Sequence, residues 1–156
     1  MKALTRFRFF LWVFGRFKVP VIGYLRPRLV EINDQRVVVC IPLRRRSKNH
    51  LNSLYFGAFA AGADIAGGLH GYWHAQNVPG KLSLAFKRFE AEFLRRAEAD
   101  VYFVSECGET VREMISESVT LGERVNRPLS VTAFVNYPQN PEVVARFMVE
   151  LSVRMR

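Results

Sequence analysis

Few residues in this chain have the types and spacing that chemistry needs, and most lie in one stretch. Asp64 is the only acid between Leu54 and Gln76, and eleven Gly or Ala residues surround it from Tyr55 to Ala75. Such a carboxylate can cap a neighbouring backbone or join a buried ion pair. Burial would also raise its pKa, so that it could accept a proton near neutrality. His70 and His74 have the four-residue spacing of metal ligands on a helix, but Gly71 replaces the Glu of a His-Glu-x-x-His pattern and no third ligand is evident. Packing or hydrogen bonding near a helix end is the expectation for both. Cys107 follows Glu106 with no His close in sequence and reads as a small structural residue. Two cysteines exclude a disulfide scaffold and a four-cysteine zinc site. With no Walker loop and no dinucleotide fingerprint, neither a metal nor a cofactor is expected.

The elements that must position these residues follow from periodicity. The chain has 156 residues, 49% hydrophobic, 24% charged and 13 of them Phe, which suits one globular domain rather than two domains or a solvated coil. Residues 4–17 fit an amphipathic helix. Leu4, Phe7, Phe10, Leu11, Phe14 and Phe17 form a broad apolar arc opposite Arg8 and Arg16, while Phe9 and Trp12 interrupt the polar side and predict packing on both faces. Pro20, Gly23 and Pro27 then break regular structure. Strands are expected at about 28–33 and 36–43, joined by a short connection at Asp34-Gln35. The small-residue segment 54–76 reads as a long helix. Asp64, His70 and His74 argue that protein, not lipid, surrounds it. Residues 81–91 alternate and then change parity, which predicts a bulge or bend. Further strands are expected at 100–105, 128–135 and 141–156, with a helix or irregular turn over 108–123 exposing Glu109, Glu113 and Glu117. One buried helix and a one-sided antiparallel sheet make an α+β layer architecture.

Charge is distributed unevenly. Net charge is +9, yet residues 1–48 carry twelve basic groups against Glu31 and Asp34, and the other 108 residues come to −1. The excess therefore belongs to the first third. The N-terminus imitates a signal peptide, but its apolar run, Phe9 to Phe14, is very short, Arg16 and Lys18 follow closely, and no small-x-small cleavage site appears. A cytoplasmic location follows as the expectation, peripheral at the inner membrane face if the basic helix touches lipid.

The element order and the run Asn49-His50-Leu51-Asn52-Ser53-Leu54-Tyr55-Phe56-Gly57-Ala58, continuing to Asp64, resemble the hotdog-fold acyl-CoA thioesterases. The phenylacetate-pathway branch and its uncharacterised relatives are the nearest match. That pattern runs from an Asn, through a His-Gly-Gly at the mouth of the central helix, to an acid seven residues past the second Gly. Asn49, Gly57 and Asp64 keep these places, while Tyr55 and Phe56 stand where the family has His and its first Gly. The resemblance implies a hotdog fold, an antiparallel sheet of five or six strands wrapped around a long central helix, with an additional N-terminal helix. It divides the chain into a basic helix and linker, 1–27, and a hotdog domain, 28–156.

The resemblance also implies roles. Unpaired amides and the dipole at a helix N-terminus would let the Gly57 N–H polarise a thioester carbonyl and hold the oxyanion that forms on attack. Asp64 would act as general base on water or as nucleophile, and Asn49 would orient that water or fix the loop. Tyr55, Phe56 and Ala58 would line the substrate. Arg44, Arg45, Arg46 and Lys48 either meet the phosphates of coenzyme A, present as part of the substrate, or form a solvated loop. Subunits would associate as a homodimer or a dimer of dimers, each site drawing on both chains. Two alternatives remain: a hotdog protein that binds an acyl chain or thioester without turnover, and an adaptor whose residues 4–18 touch an anionic membrane. No aromatic-basic nucleic-acid module is recognisable, so nucleic acid is not an expected partner.

Overall fold

The computed structural model describes residues 2–156. Two helices come first, α1 (Ala3–Phe17) and α2 (Pro20–Leu25). Where the sequence predicts broken structure after residue 20, a short helix forms, because proline at its first position has a fixed φ that suits a helix start and lacks only an N–H that would be unpaired there. Gly15 and Gly23 let α1 and α2 touch: a Cβ on Gly15 would lie 2.8 Å from the Gly23 nitrogen.

Strands β1 (Arg28–Ile32) and β2 (Val37–Ile41) form the expected hairpin. Its turn needs no Asn-Gly pair, since the Asn33 side-chain oxygen accepts hydrogen bonds from the amides of Gln35 at 2.9 Å and Arg36 at 2.8 Å. The long helix α3 (Phe56–Ala75) follows, then β3 (Leu82–Phe93), β4 (Val101–Ser105), helix α4 (Gly108–Leu121), β5 (Val125–Val135) and β6 (Glu142–Met155). All six strands join one sheet in the order β1-β2-β4-β5-β6-β3, with every pairing antiparallel. The parity change read in β3 is a register shift between Phe86 and Arg88. β5 begins three residues earlier than its sequence pattern indicates. Pro128 is tolerated inside it because β4 pairs only with Val131–Phe134, so Pro128 has a single neighbour strand, opposite Glu150.

The sheet closes around α3. Ala58, Phe59, Ala63, Ile65, Ala66 and Leu69 of the helix are buried against Val39, Ile41, Phe103, Val131, Phe147 and Val149 of the sheet. Small residues set the separation. A side chain at Gly62 would intrude on the Phe103 ring, and one at Gly71 on Leu84. This is the hotdog arrangement, an α+β sheet wrapped on a central helix with an added N-terminal helix.

The N-terminal helix departs from its sequence pattern. Phe7 and Leu11 are buried and Phe7 packs 5.3 Å from Trp73, but Phe9, Trp12 and Phe17 are exposed. The two-sided packing expected for α1 does not occur, and Phe17 is not part of its buried arc. The helix rests on α2, α3 and β1, and nothing among the described residues covers the face that carries Phe9, Trp12 and Phe17. No helix among the described residues is long and apolar enough to cross a membrane.

Candidate functional site

The mouth of α3 is assembled by the loop before it. Ser47 is fully buried, its hydroxyl donating to the Pro42 carbonyl at 2.6 Å and accepting from the Arg44 amide at 2.9 Å. The Ser47 carbonyl then accepts from the Tyr55 amide at 2.8 Å, which fixes the entry of the chain into the helix. Asn49 holds the turn between them. Its side-chain oxygen accepts from the Leu51 amide at 2.9 Å and from both the amide and hydroxyl of Ser53 at 3.2 Å. Of the two roles open to Asn49 on sequence, this geometry is that of the loop-fixing one.

At the mouth itself, the amides of Ala58 and Phe59 both donate to the Tyr55 carbonyl, at 2.9 and 3.2 Å. Those of Phe56 and Gly57 have no backbone acceptor among the described residues, as the first turn of a helix requires. Tyr55 offers no side-chain cap. Its ring lies along Gly57 instead, where an added Cβ would stand 2.5 Å from the ring edge, so a side chain there would have to displace the exposed ring. Phe56 is exposed and packs 5.5 Å from Phe93 at the end of β3.

Asp64 lies two turns into α3, on the stripe that includes Gly57, Gly68 and Gly71. That stripe faces β3, because Gly68 and Gly71 approach Phe86 and Leu84. The carboxylate is half-buried and has neither an ion pair nor a hydrogen bond among the described residues. Burial alone raises its pKa above the usual carboxylate value. Tyr72 senses the same charge: burial first, then the Asp64 carboxylate, raises its phenol pKa. The buried ion pair open to Asp64 on sequence does not form, and neither does a backbone cap.

The basic residues before the mouth turn elsewhere. Arg44 bonds the Leu43 carbonyl at 2.8 Å and Asp100 at 3.2 Å, and Arg46 reaches the Tyr24 carbonyl at 3.5 Å. With Arg45 they line an open groove of about 2130 Å³ whose other wall is α1, α2 and β1. Gly57 and Asp64 do not line it. Lys48 is exposed and bridges to Leu54 in the loop. The groove was not legible in sequence, because Arg8, Arg16, Arg26 and Arg28 join it from segments far from residue 44.

At the far end of α3 the two histidines serve the fold. His70 Nε2 lies 3.3 Å from the Asn33 carbonyl, and Trp73 donates to Asp34 at 2.8 Å, tying the β1–β2 turn to the helix. The rings of His70 and His74 stack at 5.8 Å. No group of three metal-ligating side chains occurs among the described residues.

The model of a protein family described as a domain of unknown function, DUF4442, matches residues 7–153. The chain belongs to this DUF4442 family. Its fold is shared by solved structures of low identity. A candidate thioesterase from Shewanella oneidensis is 13% identical, with a TM-score of 0.79 over 97% of this chain and 96% of that one. A protein of unknown function from Chlorobaculum tepidum is 9% identical, with a TM-score of 0.82 over 98% and 97%. A thioesterase from Haemophilus influenzae is 13% identical, with a TM-score of 0.66 over 99% and 92%. At these identities the likeness establishes the hotdog fold. Among curated proteins nothing matches.

Proposed function

We propose that this DUF4442 protein hydrolyses an acyl-CoA or related thioester in a site built by two copies of the chain, nearest in kind to the phenylacetate-pathway branch of the hotdog thioesterases. The observation that carries the reading is the state of Asp64: a half-buried carboxylate with a raised pKa and no partner, on the same helix stripe as the unpaired Gly57 amide. Desolvation without a compensating contact is costly, and such a group is suited to taking a proton.

One chain does not complete the chemistry. Seven residues at 1.5 Å rise separate Gly57 and Asp64 by about 10 Å along the helix axis, whereas oxyanion donor and base must both lie about 3 Å from the reacting groups. A second copy resolves this. Strand β3 is one of the two sheet edges, paired among the described residues with β6 alone, and it exposes Phe89 and Phe93, the latter beside Phe56 at the helix mouth. A long apolar edge strand is a template for pairing, so homodimerisation there would bring the Asp64 of one copy toward the Gly57 of the other. The Asp64 carboxylate then takes a proton from water as its oxygen attacks the thioester carbon. The Gly57 N–H donates to the oxyanion, the C–S bond breaks, and the thiolate leaves with the proton from Asp64. The free thiols Cys40 and Cys107 fit a cytoplasmic setting.

The Tyr55 ring over Gly57 favours a second reading, an acyl or thioester binder without turnover. A panel of acyl-CoA thioesters with Asp64→Asn and Asp64→Ala separates the two. Hydrolysis that falls by roughly 10²- to 10⁴-fold in folded variants supports a base. Turnover unchanged by either substitution rejects it, and ligand binding without hydrolysis in the unaltered protein selects the binder.

A further inference from the structure

The outer face of α1 and α2 has the composition of a lipid contact. Phe9 is 61% exposed, Trp12 60%, Phe17 66%, Val21 65% and Tyr24 63%. Side chains of this size are expensive to leave in water, and five on two adjoining helices form a patch rather than a scatter. They adjoin one another: Phe9 stacks on Trp12 at 6.0 Å, Trp12 meets Phe17 edge-on at 6.4 Å, and Trp12 and Tyr24 border the same groove. Val21 and Tyr24 are one turn apart on α2.

Cations adjoin this patch. The Arg16 guanidinium lies 5.4 Å from the Phe17 ring centre, and Arg16, Arg26 and Arg28 line the groove that Trp12 and Tyr24 border. Lys2 and Lys18 are exposed at the two ends of α1, and no acid precedes Glu31. A second copy of the chain is a poor occupant, because two such faces would oppose like charges across a shared apolar contact. A surface that is anionic outside and apolar beneath is complementary to both features. Trp and Tyr favour the headgroup level, and Arg and Lys the phosphates.

We propose that the α1–α2 face docks on an anionic phospholipid bilayer, with Phe9, Trp12 and Phe17 entering the acyl boundary and the adjoining Arg and Lys side chains held at the headgroups. The helices lie on the surface and do not cross it. Each cation near such a surface strengthens binding by roughly fivefold, and the attraction weakens as salt is added. This inference does not depend on the hydrolase reading.

The test uses the full chain with two vesicle preparations, phosphatidylcholine alone and phosphatidylcholine with about one-third phosphatidylglycerol. Co-sedimentation with the mixed vesicles only, with a blue shift of tryptophan emission, is the expected result. Trp73 is half-buried, packed on Phe7 under the inner face of α1 and bonded to Asp34, whereas Trp12 stands on the outer face; a shift that Trp12→Phe removes therefore reports Trp12. Trp12→Phe keeps binding and abolishes the shift, and the Trp12→Ser, Phe17→Ser double variant loses at least roughly tenfold in affinity. Both positions are solvent-exposed, so unchanged melting temperatures verify that these variants fold. No enrichment on anionic vesicles, or undiminished binding by the double variant, overturns the proposal. So does Trp12-dependent binding to a single-stranded RNA that is tighter than to the vesicles, or self-association that the double variant abolishes. Turnover of a soluble short-chain acyl-CoA is expected to be equal in all these variants, so failure here is distinct from failure of the hydrolase reading.

Discussion

Replacing His70 with Gln should remove a defined share of the acid sensitivity of this fold. His70 has no exposed surface, its Nε2 faces the Asn33 carbonyl, and its Nδ1 has no partner. The neutral ring with its proton on Nε2 satisfies that carbonyl. A second proton on Nδ1 would place an uncompensated charge in the core. Burial first, and the adjacent His74 second, lower the His70 pKa from 6.5 to about 4, against smaller opposing effects of the Asn33 carbonyl and Asp34. The unfolded chain therefore binds this proton more tightly than the folded one. Stability is full above the unfolded value and falls as the pH drops from 6.5 toward 4. At 1.36 kcal/mol per pKa unit, the loss is about 3 kcal/mol, or roughly 6–12 °C in melting temperature for a chain of this size. Gln keeps an N–H for Asn33 but cannot titrate. Whatever the variant costs at neutral pH, its further loss between pH 7 and pH 4 should be smaller than that of the unaltered protein by about 3 kcal/mol. Urea unfolding at both pH values measures the difference. Equal acid losses in the two proteins, or a His70 ring that titrates near 6.5 by NMR, would refute the reasoning.

Three further outcomes are expected. Because burial raises the Asp64 pKa, ionising it costs folded stability once the pH exceeds the unfolded value, so Asp64→Asn should melt higher at pH 7.5 even as it loses turnover; an equal or lower melting temperature contradicts an unpartnered carboxylate. Gly62→Ala drives a methyl into the fully buried Phe103 ring and should cost about 1–3 kcal/mol in chemical denaturation. Cys40, 2% exposed and with its thiol pushed up to about 11 chiefly by burial, should resist iodoacetamide at pH 8 in the folded protein while Cys107 is modified.

Local patterns announced much of the fold. The change of parity in β3 marked its bulge, and the run of Gly and Ala marked a long helix enclosed by protein. These signals survive in sequence because each depends on spacing within one element. The beginning of β5 did not, since whether Pro128 ends a strand depends on how far β4 extends beside it. The exposure of Phe9, Trp12 and Phe17 was equally hidden. An apolar residue on a helix predicts burial only if some other element arrives to cover it.

The candidate site divides along the same line. Sequence by itself determined that Gly57 and Asp64 share a helix face two turns apart, that Asp64 is the lone acid of its segment, and that the positive charge is confined to the first third. Only the tertiary structure decided what these residues meet. It left Asp64 without an ion pair among the described residues, gave the Asn49 side-chain oxygen to the turn, folded Tyr55 over Gly57, and gathered arginines from three separated segments into one groove. Spacing along a helix is a property of the chain. The company a charge keeps is set by elements far away in sequence, and burial and pairing decide whether that charge is a brace or a base.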